Sequence, residues 1–273
     1  MVVETGMRDD REKQRGASMK AWLDYYNKGL GRTDVPSLKT LVLSRFQEII
    51  IDEISKEIER MASSQPIRIW SAGSGQDIIS LSLKSRFGER VDILIQDLSE
   101  DCIAFNRRMF AENGFEARFV AKDLFVTDPA AEFDIVFNTG LLEHFSTGDQ
   151  KKLIAVFASG LRNGGIYLTA TPSSRAKIYI RWKRRLEKKG VWKYGPETPI
   201  LTLGGVEGGG LHLEGECDID ALSQLELIPG AFGVLGWLFK PVVILMIQMP
   251  RVSDGILLRI IGGYCILSRF VKS

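Results

Sequence analysis

The chain has 273 residues, 45% of them apolar and 26% charged, which fits one globular α/β domain with an insertion or a small cap. Its 36 basic and 34 acidic residues leave a net charge of +2, too little for the strong global field of a dedicated polyanion binder. Three scattered cysteines (Cys102, Cys217 and Cys265) have no Cys-x-x-Cys spacing and only two histidines to help them. That argues against a disulfide framework or a metal site and suits a reducing cytoplasm.

The polar lead, residues 1–18, carries no secretory signal. Met19 to Tyr26 can form a short helix. From Ser37 to Met61 apolar residues recur every three or four positions, which predicts a long amphipathic helix covering the sheet or a ligand mouth. Ile67 to Ser71 is then an apolar, β-branched strand that breaks into a loop holding Gly73 and Gly75. A helix over Asp77 to Phe87 follows.

Strand and helix now alternate. Val91 to Gln96 is a second strand, Asp101 to Asn113 a helix stopped by Gly114, and Ala117 to Val120 a short third strand. Phe133 to Asn138 is the fourth, Asp149 to Leu161 a helix, and Ile166 to Ala170 the fifth. Such alternation implies a parallel, doubly wound sheet.

After Pro172 the rhythm changes. A basic stretch from Arg175 to Lys193 is interleaved with Tyr179, Trp182 and Trp192. Residues 203–211 are glycine-rich and read as a loop, Asp218 to Leu227 as a helix, and Tyr264 to Val271 as a last strand. Ala231 to Met249 is mostly apolar, but Lys240 and Pro241 at its centre argue against a spanning helix. It reads as buried strand and helix, with peripheral membrane contact as the minor reading.

In a doubly wound sheet the ligand lies over the carboxyl ends of the strands. The first strand delivers Ser71, Gly73 and Gly75 there. The second delivers Asp97, suited to two ribose hydroxyls or to capping the next helix. The third delivers Asp123, able to accept from an exocyclic amine or to close a turn. The fourth delivers Asn138 and the turn from Gly140 to Phe145. His144 is the first candidate for a general base and Glu143 its orienting partner or substitute, while packing or capping is the competing role. His212, in the glycine-rich region, reads as an exposed loop residue.

The ordered set Ile69-Trp-Ser-Ala-Gly-Ser-Gly, Gln96-Asp-Leu-Ser, Ala121-Lys-Asp-Leu, Phe133-Asp-Ile-Val-Phe-Asn, Leu141-Leu-Glu-His-Phe and Leu161-Arg-Asn-Gly-Gly-Ile-Tyr-Leu resembles the class I S-adenosylmethionine-dependent methyltransferases, in the small-molecule branch that includes the ubiquinone-biosynthesis type. The resemblance spans about residues 67 to 172. It implies a Rossmann-like, seven-stranded, mostly parallel sheet and S-adenosyl-L-methionine as cofactor. It also implies that Ser71, Ala72, Gly73, Ser74 and Gly75 pass under the methionine part and that Asp97 holds the ribose. Leu98, Asp123 and Leu124 would then line the adenine, with Asn138 and Leu141 near the sulfonium. Two positions depart from the family: Ser71 stands where an acidic residue is usual, and Asp77 where a third glycine is common.

The expectation is therefore a cytoplasmic methyltransferase with an N-terminal helical cover (residues 1–62) and a core (63–273) interrupted by a substrate lid at about 173–215. The glycines at 204–210 would serve as the lid's hinge. The acceptor is a small molecule, methylated on oxygen first, then nitrogen or carbon; the basic stretch with its aromatics could also suit phosphate-bearing substrates or nucleic acid, but nucleic acid is not the expected partner. The alternatives are a lipid-linked or membrane-presented acceptor, suggested by the basic stretch, and a non-catalytic nucleotide-ligand-binding protein. A dinucleotide oxidoreductase would share the glycine loop but would leave Asp123 and the Leu-Leu-Glu-His-Phe turn unexplained.

Overall fold

The computed structural model describes residues 35–61, 63–192, 194–206, 208–239, 241 and 254–273, together with Gly16 and Lys20. The expected lead and short helix at 1–26 lie outside the described residues, except for those two positions.

Seven strands form one sheet in the order β3-β2-β1-β4-β5-β7-β6. β1 (Ile67–Ala72), β2 (Val91–Asp97), β3 (Arg118–Ala121), β4 (Phe133–Thr139) and β5 (Leu161–Pro172) pair in parallel. β7 (Cys265–Lys272) runs antiparallel to both β5 and β6 (Leu211–Ile219). The chain steps outward from β1 to β3, returns to lay β4 against β1, and continues outward the other way. The order reverses between β1 and β4, and the crevice beyond their carboxyl ends is where such sheets bind ligands.

Alternation along β1 explains its two buried faces. Ile67 and Ile69 join one core with Ile93, Ile95, Ile135, Ile166 and Leu168. Trp70 and Ala72 join the other with Phe133, Phe157, Leu161 and Tyr167. The first face is covered by α1 (Arg45–Arg60), α2 (Ile78–Phe87) and α3 (Glu100–Glu112), the second by α4 (Thr147–Gly160). Trp70 fixes the approach of α4, because a Cβ on Gly160 would lie 2.9 Å from its ring.

Several boundaries differ from the sequence reading. α1 starts at Arg45, not Ser37, because Ser44 and Gln47 close a capping box: Ser44 Oγ accepts from the Gln47 N–H and Gln47 Oε1 from the Ser44 N–H. Val42, counted into the helical stripe, is 89% exposed. Leu161 belongs to β5 rather than to α4, and the Asn163-Gly164-Gly165 turn is a bulge inside that strand, where the pairing steps from Phe133↔Leu161 to Ile135↔Ile166. The helix expected at Asp218–Leu227 is the end of β6 followed by a 3-10 turn over Leu222–Leu227. The described part of the apolar stretch forms two short helices, α6 (Ile228–Phe232) and α7 (Val234–Leu238), and Leu235 and Leu238 there are exposed rather than buried. Lys240 and residues 242–249 of that stretch lie outside the described residues.

The segment between β5 and β6 carries α5 (Lys177–Lys188) and an extended strap that returns through Ile200, bridged to Ser173. The glycine loop that follows is packed down. Gly209 lies so close to α4 that a Cβ there would come within 2.7 Å of the Ala158 Cβ, and the neighbouring Leu203 and Val206 are buried.

Replacing Ser44 by Ala removes half of the capping box and is expected to lower stability by about 1 kcal/mol. Urea titration followed by circular dichroism checks this, with Thr at the same position retaining most of the parent stability.

Candidate active site

The glycine turn is built from backbone bonds to the next strand. The Gly73 and Ser74 N–H groups both donate to the Gln96 carbonyl, at 2.9 and 3.1 Å. The Gly75 N–H donates to Asp97 Oδ2 at 2.8 Å, while Asp97 Oδ1 accepts from the Ser99 N–H at 2.9 Å. Gly73 and Gly75 have φ of +66° and +52°, a region that favours glycine. Gly73 is constrained by space as well, since a Cβ there would lie 2.9 Å from Leu141 Cδ1. The loops after β1 and β4 therefore touch at the switch point, where Gly73 meets Leu141.

Asn106, on α3, is a residue that motif reading missed. Its Nδ2 donates to the Gly75 carbonyl at 2.7 Å and its Oδ1 accepts from the Asp77 N–H at 2.9 Å. It is fully buried. A polar residue among the apolar positions of α3 was the available signal, but its partners are far away in the chain.

Asp77 caps α2 by accepting from the Ser80 N–H. The carboxyl is buried, and its Oδ2 has no hydrogen-bond partner within bonding geometry. Burial raises its pKa, the Ser71 and Ser80 hydroxyls and the Ser80 N–H lower it, and Asp97 raises it further. Burial also raises the pKa of Asp97, against its bonds from backbone N–H groups. The missing acid at Ser71 is thus matched by a carboxylate beside that serine, delivered from position 77.

The other expected residues divide. Asp123 caps the 3-10 turn of Leu124–Val126 by accepting from the Phe125 N–H at 2.9 Å, and Leu124 is buried in the core with Trp70 and Ala72. Leu98 is half-buried beside Asp97. The Asn138 side chain is held within the sheet: it donates to Tyr167 Oη at 2.8 Å and accepts from Thr169 Oγ1 at 2.7 Å. His212 is an exposed residue of β6, at the sheet edge.

Glu143 and His144 sit in a 3-10 turn after β4, both almost fully buried. Gln150 holds the turn by donating to the carbonyls of Leu142 and Phe145. The strap from Tyr194 to Thr198 roofs it. The Thr198 N–H donates to the Glu143 carbonyl at 2.8 Å, and His144 Nδ1 lies 2.9 Å from the Pro196 carbonyl. A carbonyl only accepts, so Nδ1 carries the proton. His144 Nε2 is 3.7 Å from Glu143 Oε1, but the two are not an ion pair. Burial lowers the His144 pKa to about 4, with Lys183 lowering it further. Burial pushes the Glu143 carboxyl well above the usual carboxylate range, and the nearby Glu197 raises it more. Glu143 Oε2 has no hydrogen-bond partner. Glu197, its own pKa raised by burial, accepts from the Tyr179 hydroxyl of α5.

Replacing Asn106 by Ala leaves the buried Asp77 N–H without its partner and the Gly75 carbonyl with only the long bond from Ser74 Oγ, which is expected to cost about 2–4 kcal/mol in denaturant unfolding. The β4 turn makes a prediction with a sign. With a folded pKa near 4 against 6.5 unfolded, His144 leaves stability complete above pH 6.5 and removes it as the pH falls, by up to about 3 kcal/mol. Glu143 acts oppositely: its folded pKa is raised, so it costs stability increasingly as pH rises above the ordinary carboxylate value and the unfolded chain ionises first. The melting temperature of a Glu143→Gln variant, relative to the parent, is therefore expected to rise between pH 5 and pH 8, and a His144→Gln variant to flatten the acid limb.

Comparison with known proteins agrees with this arrangement. Residues 69–165 match the family described as a methyltransferase domain. No curated protein matches the sequence at a significant level. Among solved structures, a geranyl diphosphate C-methyltransferase from Streptomyces coelicolor, bound to geranyl diphosphate and S-adenosyl-L-homocysteine, superposes with a TM-score of 0.55 at 15% identity, covering 83% of this chain and 77% of that one. The cyclopropane synthase MmaA2 from Mycobacterium tuberculosis gives 0.52 at 17%, covering 81% and 82%. The cyclase SpnF gives 0.56 at 14%, covering 95% of both chains. At these identities the likeness establishes the fold. The family match runs from β1 into β5, so the likeness to a methyltransferase domain falls on the residues that build the β1–β4 crevice.

Proposed function

We propose that the protein transfers a methyl group from S-adenosylmethionine to a small-molecule acceptor, oxygen first and nitrogen or carbon after it, with Glu143 as the proton acceptor. The observation that carries this reading is the Glu143 carboxyl itself. It is buried at the end of β4, two residues from the Leu141–Gly73 contact, with one oxygen unpartnered and an upshifted pKa. His144 Nδ1 is taken up by the Pro196 carbonyl and burial lowers the ring's pKa to about 4, whereas Glu143 keeps one oxygen without a hydrogen-bond partner, and that difference favours Glu143. His144 then has a positioning role, its Nδ1–H on Pro196 holding the turn against the strap.

The residues present fit the cofactor. Gly73 and Gly75 hold the turn with positive φ and carry no side chain, and one at Gly73 would strike Leu141, so bare backbone lines the turn. Asp77 has an unpartnered buried oxygen beside Ser71, its ionisation is disfavoured by burial and by Asp97, and burial disfavours that of Asp97 too. An ammonium group near the pair relieves both. Asp97 retains lone pairs for hydroxyl donors beyond its two backbone bonds. The cofactor supplies a methyl group on a sulfonium, and this chain's part is to align the acceptor, exclude water under the strap and take the proton at Glu143.

Calorimetry with S-adenosylhomocysteine, followed by methyl-transfer assays on phenols, carboxylic acids and amines, tests the proposal. Micromolar binding is expected, and no binding at saturation sinks it. Asp77→Asn keeps the helix cap and removes the charge, so it is expected to weaken binding roughly tenfold while leaving the melting temperature close to the parent's. Glu143→Gln is expected to keep binding and lose at least about a hundredfold in turnover.

A further inference from the structure

The outer surface formed by α5, α6, α7 and α8 (Gly255–Ile261) takes no part in the crevice. On its inner side Ile178, Leu222, Leu225 and Ala231 make a small core of their own, with Trp182, Leu257 and Ile261 packed against it. Its outer side is apolar and exposed. Val234, Leu235 and Leu238, on one face of α7, are 86%, 64% and 72% exposed, and Phe239 continues that face. Ile256 and Ile260, one turn apart on α8, are exposed too.

Cations border this face directly. The Arg181 guanidinium lies 4.6 Å from the centre of the Phe232 ring. Arg185 lies against Gly233 at the joint between α6 and α7, where a Cβ would come within 2.9 Å of its Nη2. Arg181, Arg184, Lys188 and Lys189 are exposed, and among the described residues no carboxylate pairs with them. Of the acids nearby, Glu187 is tied to Lys183, and Glu226 is exposed. The sequence then holds no acidic residue until Asp254, while Lys240 and Arg251 add positive charge.

We propose that this surface docks the protein on an anionic phospholipid membrane, with the exposed face of α7 at headgroup depth and the α5 cations against lipid phosphates. Exposed apolar side chains rimmed by arginine and lysine, with almost no acid among them, are the pattern of an interfacial anchor. A basic surface reading polyanions by charge alone would not need the apolar face. Among the described residues no helix is long and apolar enough to cross a membrane. The docking does not depend on the identity of the methyl acceptor.

The test is sedimentation of the full chain with vesicles of phosphatidylcholine alone and of phosphatidylcholine mixed with phosphatidylglycerol, at low and at physiological salt. Pelleting with the anionic vesicles only, weakened but not abolished by salt, is expected. Leu235→Asp combined with Leu238→Asp, and separately Arg181→Glu combined with Arg184→Glu, are each expected to reduce partitioning about tenfold or more. Thermal shift with S-adenosylhomocysteine, unchanged in both variants, reports that the crevice and fold are intact. The proposal is overturned if the parent stays in the supernatant at low salt, or if it binds duplex DNA in place of vesicles. It is also overturned if the leucine variant loses its fold, which would make the patch internal packing. Partitioning unchanged in the folded arginine variant overturns it as well.

Discussion

The hydrogen bond from the Gly75 N–H to the Asp97 carboxylate is the constraint on which the crevice depends. It joins the loop after β1 to the end of β2, and the Gln96 carbonyl reinforces it from the Gly73 and Ser74 N–H groups. With the loop held there, Asn106 can bond both the Gly75 carbonyl and the Asp77 N–H. That fixes where α2 starts and therefore where the Asp77 carboxyl lies. Each of these groups is buried or half-buried, so losing one leaves others unsatisfied, and the loop behaves as a unit.

The second half of the crevice is controlled by desolvation. Glu143 and His144 are close, yet both are held toward their neutral forms, one raised and the other lowered by the same burial. The strap creates this environment. It lies over the turn through Pro196 and Thr198, and through Glu197 it connects to Tyr179 on α5. The element that carries the basic outer surface is thereby linked to the turn that carries the candidate base. That helix, α5, turns its aromatic side inward and Arg181, Arg184 and Lys188 outward.

The family's usual pattern and this chain differ at two positions, and the structure relates them. Ser71 replaces an acid and Asp77 replaces a glycine, but the two side chains meet, so charge is kept near the glycine turn while its attachment moves from the strand to the helix cap. A helix N-terminus suits a carboxylate, which caps free N–H groups there. The same position tolerates a side chain because Asp77 is not in the left-handed conformation required at Gly73 and Gly75.

The alternation of strands and helices to β5, the glycine turn, and the acids at the ends of β2 and β3 were legible in the sequence because their signals are local. Burial on both faces makes β1, β2 and β4 continuous apolar runs, and turn residues end them. β6 was not legible: Leu211 to Ile219 mixes apolar and acidic residues, and only antiparallel pairing with β7 makes it a strand. Asn106 and the strap on His144 were hidden for a similar reason, since their partners are 31 and 52 residues away. The apolar stretch after Leu227 looked like core by composition alone, yet hydropathy cannot say which apolar residues find a neighbour. The sequence by itself determined the succession of strands and helices up to β5 and the residue types available at the crevice. Tertiary packing decided which carboxyls lost their water, and hence which can hold a charge or take a proton.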